Sequence, residues 1–300
     1  MILWKDYHLA HSIRDALETL ANAPGPARLV AGGTDLLLDL QQGRHPPVHT
    51  LVDVSQVPEM ARIEICRDRL YIGAAAPLTQ IVASPLVREH AAALVEAAGL
   101  IGGPQVRNTA TLGGNVAHAL PAGDGTIALL ALDAQAEVAD ANGIRLLPLE
   151  SLFLGPGRSA LSPRAEVLVG FHLPLRSPHE GSAFRRVMRP QGVAIAILNL
   201  AAWIQRQGEV IGEARLAVGP SGPTPSRSRE AENVLLGRPL NSDTIELTAR
   251  ALLAEASFRT SPHRATAEYR KRMANVLLSE VLFAAWERSA AQVKINEVLR

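Results

Sequence analysis

Two short stretches of this 300-residue chain carry residue types suited to holding a large anion. The first is Ala31-Gly32-Gly33-Thr34-Asp35. It follows Arg28-Leu29-Val30-Ala31, which reads as a short buried strand, and precedes the apolar run Leu36-Leu37-Leu38-Asp39-Leu40. Strand, glycine turn and capped helix is the order that aims backbone N–H groups and a helix N-terminus at an anion. The second stretch is Thr111-Leu112-Gly113-Gly114-Asn115. Adjacent glycines remove both Cβ atoms, so backbone amides can close on a bulky oxyanion, and Thr111 and Asn115 add uncharged hydrogen-bonding side chains. A phosphate or diphosphate suits that chemistry; a plain Gly-Gly turn between strands is the alternative for this stretch taken alone.

Other chemistries find no support. Neither stretch is Gly-x-Gly-x-x-Gly with a ribose-reading acid downstream, and no Gly-x-x-x-x-Gly-Lys-Ser/Thr run occurs. The nine histidines include no His-Glu-x-x-His, and none groups with cysteine at zinc spacing. His45 and His49, in a Pro-rich loop, read as surface residues. Spacing supports neither a Ser-His-Asp grouping nor paired carboxylates. No catalytic residue and no metal site is assigned. Such a chain leaves redox chemistry to a cofactor and supplies binding, orientation and local electrostatics.

The two glycine motifs lie about 80 residues apart, as a long dinucleotide would require. Together they resemble the two FAD-binding motifs of the flavoprotein (medium) subunit of molybdenum hydroxylases, of the carbon monoxide dehydrogenase and xanthine dehydrogenase type. Gln105-Val106-Arg107-Asn108 precedes the second motif as in that family. Ser182-Ala183-Phe184-Arg185-Arg186 and Ala267-Glu268-Tyr269-Arg270 resemble its C-terminal signatures, so the likeness covers nearly the whole chain.

The resemblance implies an α+β or α/β architecture. A two-lobed FAD-binding domain of the vanillyl-alcohol-oxidase/PCMH type would occupy residues 1–176, with the lobe boundary near residue 58. A C-terminal α+β domain of antiparallel sheet plus helices would occupy 177–300. FAD would be held non-covalently by Leu29, Val30, Ala31, Gly32, Gly33, Thr34 and Asp35 of the first motif. Thr111, Gly113, Gly114 and Asn115 would hold it from the second. Asp124 would contact the FAD sugar or cap the helix that follows. Ile101 would lie against the isoalloxazine ring or in the core. Leu168 and Val169 fall near the residue that covers the ring, and His118 should lie near the cofactor. Arg185 and Arg186 occupy a basic position of the family, where either could favour negative charge on a reduced flavin; a solvated pair is the alternative. Leu120 departs from the acid often found there. Asn115 runs on to Asp124 without the cysteine-rich insertion that carries an extra cluster in some relatives.

The implied role is the electron-transfer subunit of a heterotrimer, active only with its partners and assembled as a dimer of heterotrimers. A large subunit would carry molybdopterin, a small subunit would carry [2Fe–2S], and this chain would pass electrons through FAD to an external acceptor. Two competitors remain at this point: a self-contained FAD-dependent oxidase or reductase, and a non-enzymatic nucleotide-binding assembly module.

Composition fits a protein with a substantial core, since 47% of residues are hydrophobic and only 20% charged. A net charge of +1 offers nothing for nucleic acid or an anionic membrane. No run approaches the ~18 apolar residues of a membrane helix, so a cytoplasmic chain is expected. Cys66 is the sole cysteine, which precludes a cluster held by this chain's own thiolates.

The elements that must position these residues are read from periodicity. Tyr7 to Ala23 reads as an amphipathic helix with Ser12 as a candidate N-cap, ended by Pro24-Gly25-Pro26. Leu51–Val54 reads as a strand, Ile63–Ile65 and Leu70–Ile72 as a hairpin, and Pro77–Ala98 as helix broken near Pro85. A helix through Leu132 leads to a hairpin with a type I′ turn at Asn142-Gly143. Val167–Pro174 reads as the last strand before a linker at Ser177–Gly181. Gly192–Ile204 and Ala214–Val218 read as strands. Helices are expected around Arg229–Leu236, Ser242–Ala256 and Thr266–Ala290, the last with Arg270-Lys271-Arg272 on a solvated face.

Overall fold

Strands β1 (Asp6–Leu9), β2 (Ala27–Val30) and β3 (Thr50–Asp53) form a parallel sheet in the order β1-β3-β2. Parallel strands need crossovers, which α1 (Ile13–Asn22) and α2 (Leu36–Gln41) supply. This first lobe corrects three expectations. Tyr7–Leu9 is not helix: Tyr7 and His8 pair with Leu51 and Val52, and the Tyr7 hydroxyl donates to Asp53. Helix begins only after Ser12, whose Oγ accepts from Asp15 N at 3.1 Å. The strand before the first glycine motif is an edge strand buried only at Ala27 and Val30. Asp35 stands at the N-cap of α2 but makes no capping hydrogen bond. The structure, a computed structural model, describes residues 2–189 and 195–290.

After α3 (Pro58–Ala61) comes the expected hairpin, β4 (Ile63–Cys66) and β5 (Arg69–Gly73). The following helical stretch breaks twice, giving α4 (Leu78–Ala83), α5 (Pro85–His90) and α6 (Ala92–Leu100). Helices α7 (Pro104–Arg107), α8 (Leu112–Ala117) and α9 (Asp124–Ala131) then precede β6 (Gln135–Asp140) and β7 (Gly143–Pro148). A small ribbon, β8 (Phe153–Gly155) and β9 (Arg158–Ser159), leads to β10 (Val167–Pro174). The resulting antiparallel sheet has the order β4-β5-β10-β6-β7, with β10 at its centre. Its β6–β7 turn is not type I′. Asp140 pairs with Gly143, so Ala141 and Asn142 are the central residues, and neither adopts the positive φ that type I′ requires. Asp140 Oδ1 accepts from Asn142 N at 2.7 Å and sets that turn instead.

The third sheet is antiparallel in the order β11-β12-β13-β14, built from β11 (Glu180–Val187), β12 (Leu198–Gln207), β13 (Val210–Gly219) and β14 (Ser226–Arg227). Residues 192–194 of the expected strand Gly192–Ile204 lie outside the described residues. Helices α10 (Arg229–Leu235), α11 (Ser242–Glu255) and α12 (Ala267–Ala290) cover one face, where Leu198, Leu200, Ala202 and Ile204 join one apolar cluster. Phe184, Ala201, Trp203 and Ala217 on the other face join the main core around the second sheet. A strand covered on both faces is apolar nearly throughout, and the first seven residues of β12 are all buried. Every residue of α9, which packs against α6, β12 and β13, is buried too. The mixed fold with an antiparallel sheet and helices at its C-terminal end is the architecture expected.

One exception concerns Arg270. It does not share the solvated face expected for Arg270-Lys271-Arg272: it is 1% exposed, and its Nη1 donates to Ile197 O. No described helix is long and apolar enough to cross a membrane.

Candidate functional site

The two glycine turns meet. A Cβ on Gly32 would fall 2.0 Å from Thr109 O and 2.9 Å from Ala110 Cα, so only glycine lets the first turn lie on the backbone leading into the second. Gly33 supplies the sharp bend, at a φ of +66° that other residues rarely adopt. Among the described residues, the N–H groups of Gly32, Gly33, Thr34 and Asp35 donate to no protein acceptor. Four successive amides of this kind form the donor side of an anion cradle.

The second turn is built differently from the sequence expectation, because its glycine amides are already engaged. Gly113 N donates to Ala74 O at 2.8 Å, and a Cβ on Gly113 would press 2.6 Å from the Ala74 Cβ. Gly113 therefore serves packing. Thr111 Oγ1 caps α8 by accepting from Gly114 N at 3.1 Å. Gly114 itself is exposed, and an added Cβ would approach only that Thr111 hydroxyl. Asn115 Oδ1 accepts from Thr126 N at 3.2 Å and ties α8 to α9. His118 follows at the end of α8, half-buried, its ring making no hydrogen bond among the described residues.

Ala74 links this turn to the central strand, since its N–H donates to Val169 O at 2.8 Å. The pairing of β10 with β6 shifts register between Leu168 and Gly170, and Tyr71 Oη also donates to Val169 O, at 3.3 Å. Leu168 and Val169 are both buried. Ile101 is half-buried against the main core, and its carbonyl accepts from Arg107 Nη1 at 3.1 Å. Leu29 and Val30 sit below the first turn, in the main core and in a small cluster with Leu40 and Leu51 respectively.

Asp124 is not the helix cap. Gly123 holds that position, and Asp124 is the first residue of α9 with its carboxylate turned into a buried cluster. Arg186 Nη1 donates to its Oδ2, and Asn199 Nδ2 donates to its Oδ1 at 2.6 Å and to Ala122 O at 3.1 Å. The Arg186 and Asp124 side chains are each 5% exposed. Burial pushes the Asp124 carboxyl up from its ordinary value, opposed by Arg186 and the Asn199 hydrogen bond. Among the described residues, Thr126 Oγ1, Arg186 Nε and Asn199 Oδ1 are buried without a partner. Three orphaned polar atoms on adjoining elements call for a polar partner there, an ordered water or a ligand. Asn199 escaped the sequence reading; its signal was a lone amide inside the apolar run Leu198–Ile204.

The two adjacent arginines part company. Strand alternation turns Arg186 into the Asp124 cluster, whereas Arg185 reaches Glu96 of α6. Neither is a solvated member of a pair. Arg185 Nη1 donates to Glu96 Oε1 at 2.9 Å, joined there by Arg288 Nη2 of α12 at 2.7 Å, while Phe184 N donates to Glu96 Oε2 at 2.8 Å. Glu96 thus joins α6, β11 and α12. Burial raises its carboxyl pKa, but the hydrogen bonds from Arg288 and Phe184 N and the nearby charges outweigh it and leave the pKa lowered.

A family model described as the FAD binding domain in molybdopterin dehydrogenase matches residues 4–176, and one described as the CO dehydrogenase flavoprotein C-terminal domain matches residues 182–285. The chain belongs to the FAD-binding subunits of the molybdenum hydroxylases. Among these flavoproteins, a putative xanthine dehydrogenase FAD-binding subunit of Escherichia coli is 34% identical over 287 residues, covering 95% of this chain and 97% of the relative. The carbon monoxide dehydrogenase medium chain of Hydrogenophaga pseudoflava is 30% identical over 285 residues, covering 95% and 98%. A solved carbon monoxide dehydrogenase from Hydrogenophaga pseudoflava superposes with a TM-score of 0.90 at 29% identity, over 96% of this chain and 99% of the other. Quinoline 2-oxidoreductase from Pseudomonas putida gives 0.86 at 25% identity, over 96% and 98%. The protein is an oxidoreductase component that binds FAD. The residues above fit that cofactor on two counts: amides without acceptors at the first turn, and orphaned buried polar atoms around Asp124.

Proposed function

We propose that this chain is the flavin subunit of a heterotrimeric molybdenum hydroxylase, holding one FAD non-covalently and relaying electrons from a [2Fe–2S] partner to an external acceptor. The observation that carries the reading is the contact between the glycine turns, where Gly32 lies on Thr109 and four amides face no protein acceptor. In this reading Gly32, Gly33, Thr34 and Asp35 donate to the diphosphate, and the exposed surface of Gly114 lets it approach α8 closely. Thr111 and Asn115 act mainly by holding α8 in place, because their side-chain oxygens already accept from Gly114 N and Thr126 N. Arg186 and Asn199 orient Asp124 toward the cofactor sugar. Leu168, Val169 and Ile101 border the ring and exclude water from it, with His118 nearby. Arg185, steadied by Glu96, supplies positive charge on the ring side.

Bound FAD supplies the switch between two-electron and one-electron chemistry. The division of the chain into 1–176 and 177–300, with lobes meeting near residue 58, belongs to the same reading. So do a cytoplasmic location and a dimer of heterotrimers with a molybdopterin-bearing large subunit. Reconstitution tests it. The chain loaded with FAD is expected to reduce no acceptor from the substrate of the complex, and adding the two partner subunits to restore turnover. Substrate-driven flavin reduction by the isolated chain would favour a self-contained oxidoreductase.

A further inference from the structure

The loop before α12 and the first turn of that helix gather positive charge that no carboxylate among the described residues pairs with. Arg270 is buried, gives a side-chain hydrogen bond to Ile197 O, and among the described residues leaves its Nε without a partner. Thr260 Oγ1 accepts from Ala267 N at 3.1 Å, which folds residues 256–266 back on the start of α12. Arg259 and Arg264 in this loop are exposed and act on the Arg270 guanidinium as like charges. Arg189, just beyond β11, donates to His263 O and adds a fourth guanidinium. The sequence holds no Asp or Glu between Glu180 and Glu209, or between Glu255 and Glu268. Glu268 faces Arg272 instead, at 3.6 Å. Among the described residues, none of these four arginines forms a salt bridge.

A buried guanidinium with an unpartnered Nε and no salt bridge among the described residues is unfavourable until an anion joins it. The start of a 24-residue helix adds partial positive charge at the same place. The planar fork of arginine matches phosphate oxygens, and several forks on one patch favour a multiply charged oxyanion over a single carboxylate. We infer that Arg270, Arg264, Arg259 and Arg189 form a binding site for a phosphate-type oxyanion, in addition to the glycine turns.

The test is calorimetric titration of inorganic phosphate into the full chain loaded with FAD, against sodium chloride at equal ionic strength. Saturable binding specific to phosphate is expected. The Arg259→Gln/Arg264→Gln double variant, altered only at exposed positions, should keep its flavin and bind phosphate at least tenfold more weakly. Arg270→Lys, which keeps the charge but loses the fork, should also weaken binding. Equal phosphate affinity in the parent and the double variant, or no preference over chloride, overturns the inference. Flavin in the glycine turns keeps them out of the titration. A chain that takes up no FAD counts against the proposed function instead, and the comparison with the double variant then still decides the phosphate site.

Discussion

Gly32 and Thr109 touch backbone to backbone: any side chain at position 32 would sit on the Thr109 carbonyl, 2.0 Å from its oxygen. Gly32→Ala should therefore force the turns apart. Overpacking of this kind costs about 1–3 kcal/mol. Both the midpoint of chemical unfolding and the flavin content after purification should fall. A variant with parental flavin content would remove the contact from the site.

The neighbouring glycines of the second turn should behave oppositely to each other. A Cβ at Gly114 would meet, among the described residues, the Thr111 hydroxyl and nothing else within 4 Å, so in Gly114→Val the fold should survive while flavin is lost. Gly113→Ala meets the Ala74 backbone and Cβ and should lower the melting temperature. Melting curves and flavin absorbance on the two proteins separate these outcomes; full flavin in Gly114→Val would mean that the cofactor does not pass over α8.

Thr111 and Asn115 give a graded test. Losing the Thr111 cap should cost about 0.5–2 kcal/mol. Each hydrogen bond removed contributes roughly 0.5–1.5 kcal/mol, up to about tenfold in affinity if it reports on the cofactor. Single alanine variants should weaken FAD binding modestly and the double variant clearly, measured by fluorescence titration. Unchanged affinity in the double variant would detach α8 from the cofactor.

The Asp124–Arg186 pair is buried on both sides. Arg186→Met strands a carboxylate in the interior, a change that costs about 3–5 kcal/mol in such settings. Adding Asp124→Leu should recover part of that loss, and a double-mutant cycle by urea unfolding reads the coupling. Additive losses would show that the two side chains do not act as a pair.

Glu96 makes stability depend on pH. A carboxyl whose folded pKa lies below its unfolded value stabilises fully above the ordinary 4.5 and loses that contribution as pH falls through the folded pKa. The melting temperature of the parent should exceed that of Glu96→Gln at neutral pH, and the gap should narrow as the solution is acidified below that value. A gap independent of pH would mean that the charge of Glu96 does not hold β11 and α12 to α6.

Local requirements were legible in the sequence because they are written in single residues. Ser12 marked a helix start through its own side chain, and Gly33 marked a bend through the absence of a Cβ. The hairpin at Ile63–Ile72 followed from alternation, and the pair of glycine motifs pointed to the family. What the sequence could not say was which atoms those residues would meet. Tyr7 became a strand because β3 was available to pair with it. Gly113 donates to Ala74 rather than to a ligand because β5 ends beside it. Arg185 and Arg186 are neighbours in sequence, yet the pleat of β11 sends one to Glu96 and the other to Asp124. Arg270 is buried because the helix that carries it lies across the start of β12. Partners of this kind come from long-range packing, and a burial pattern read from spacing alone carries no record of which element will cover a given face.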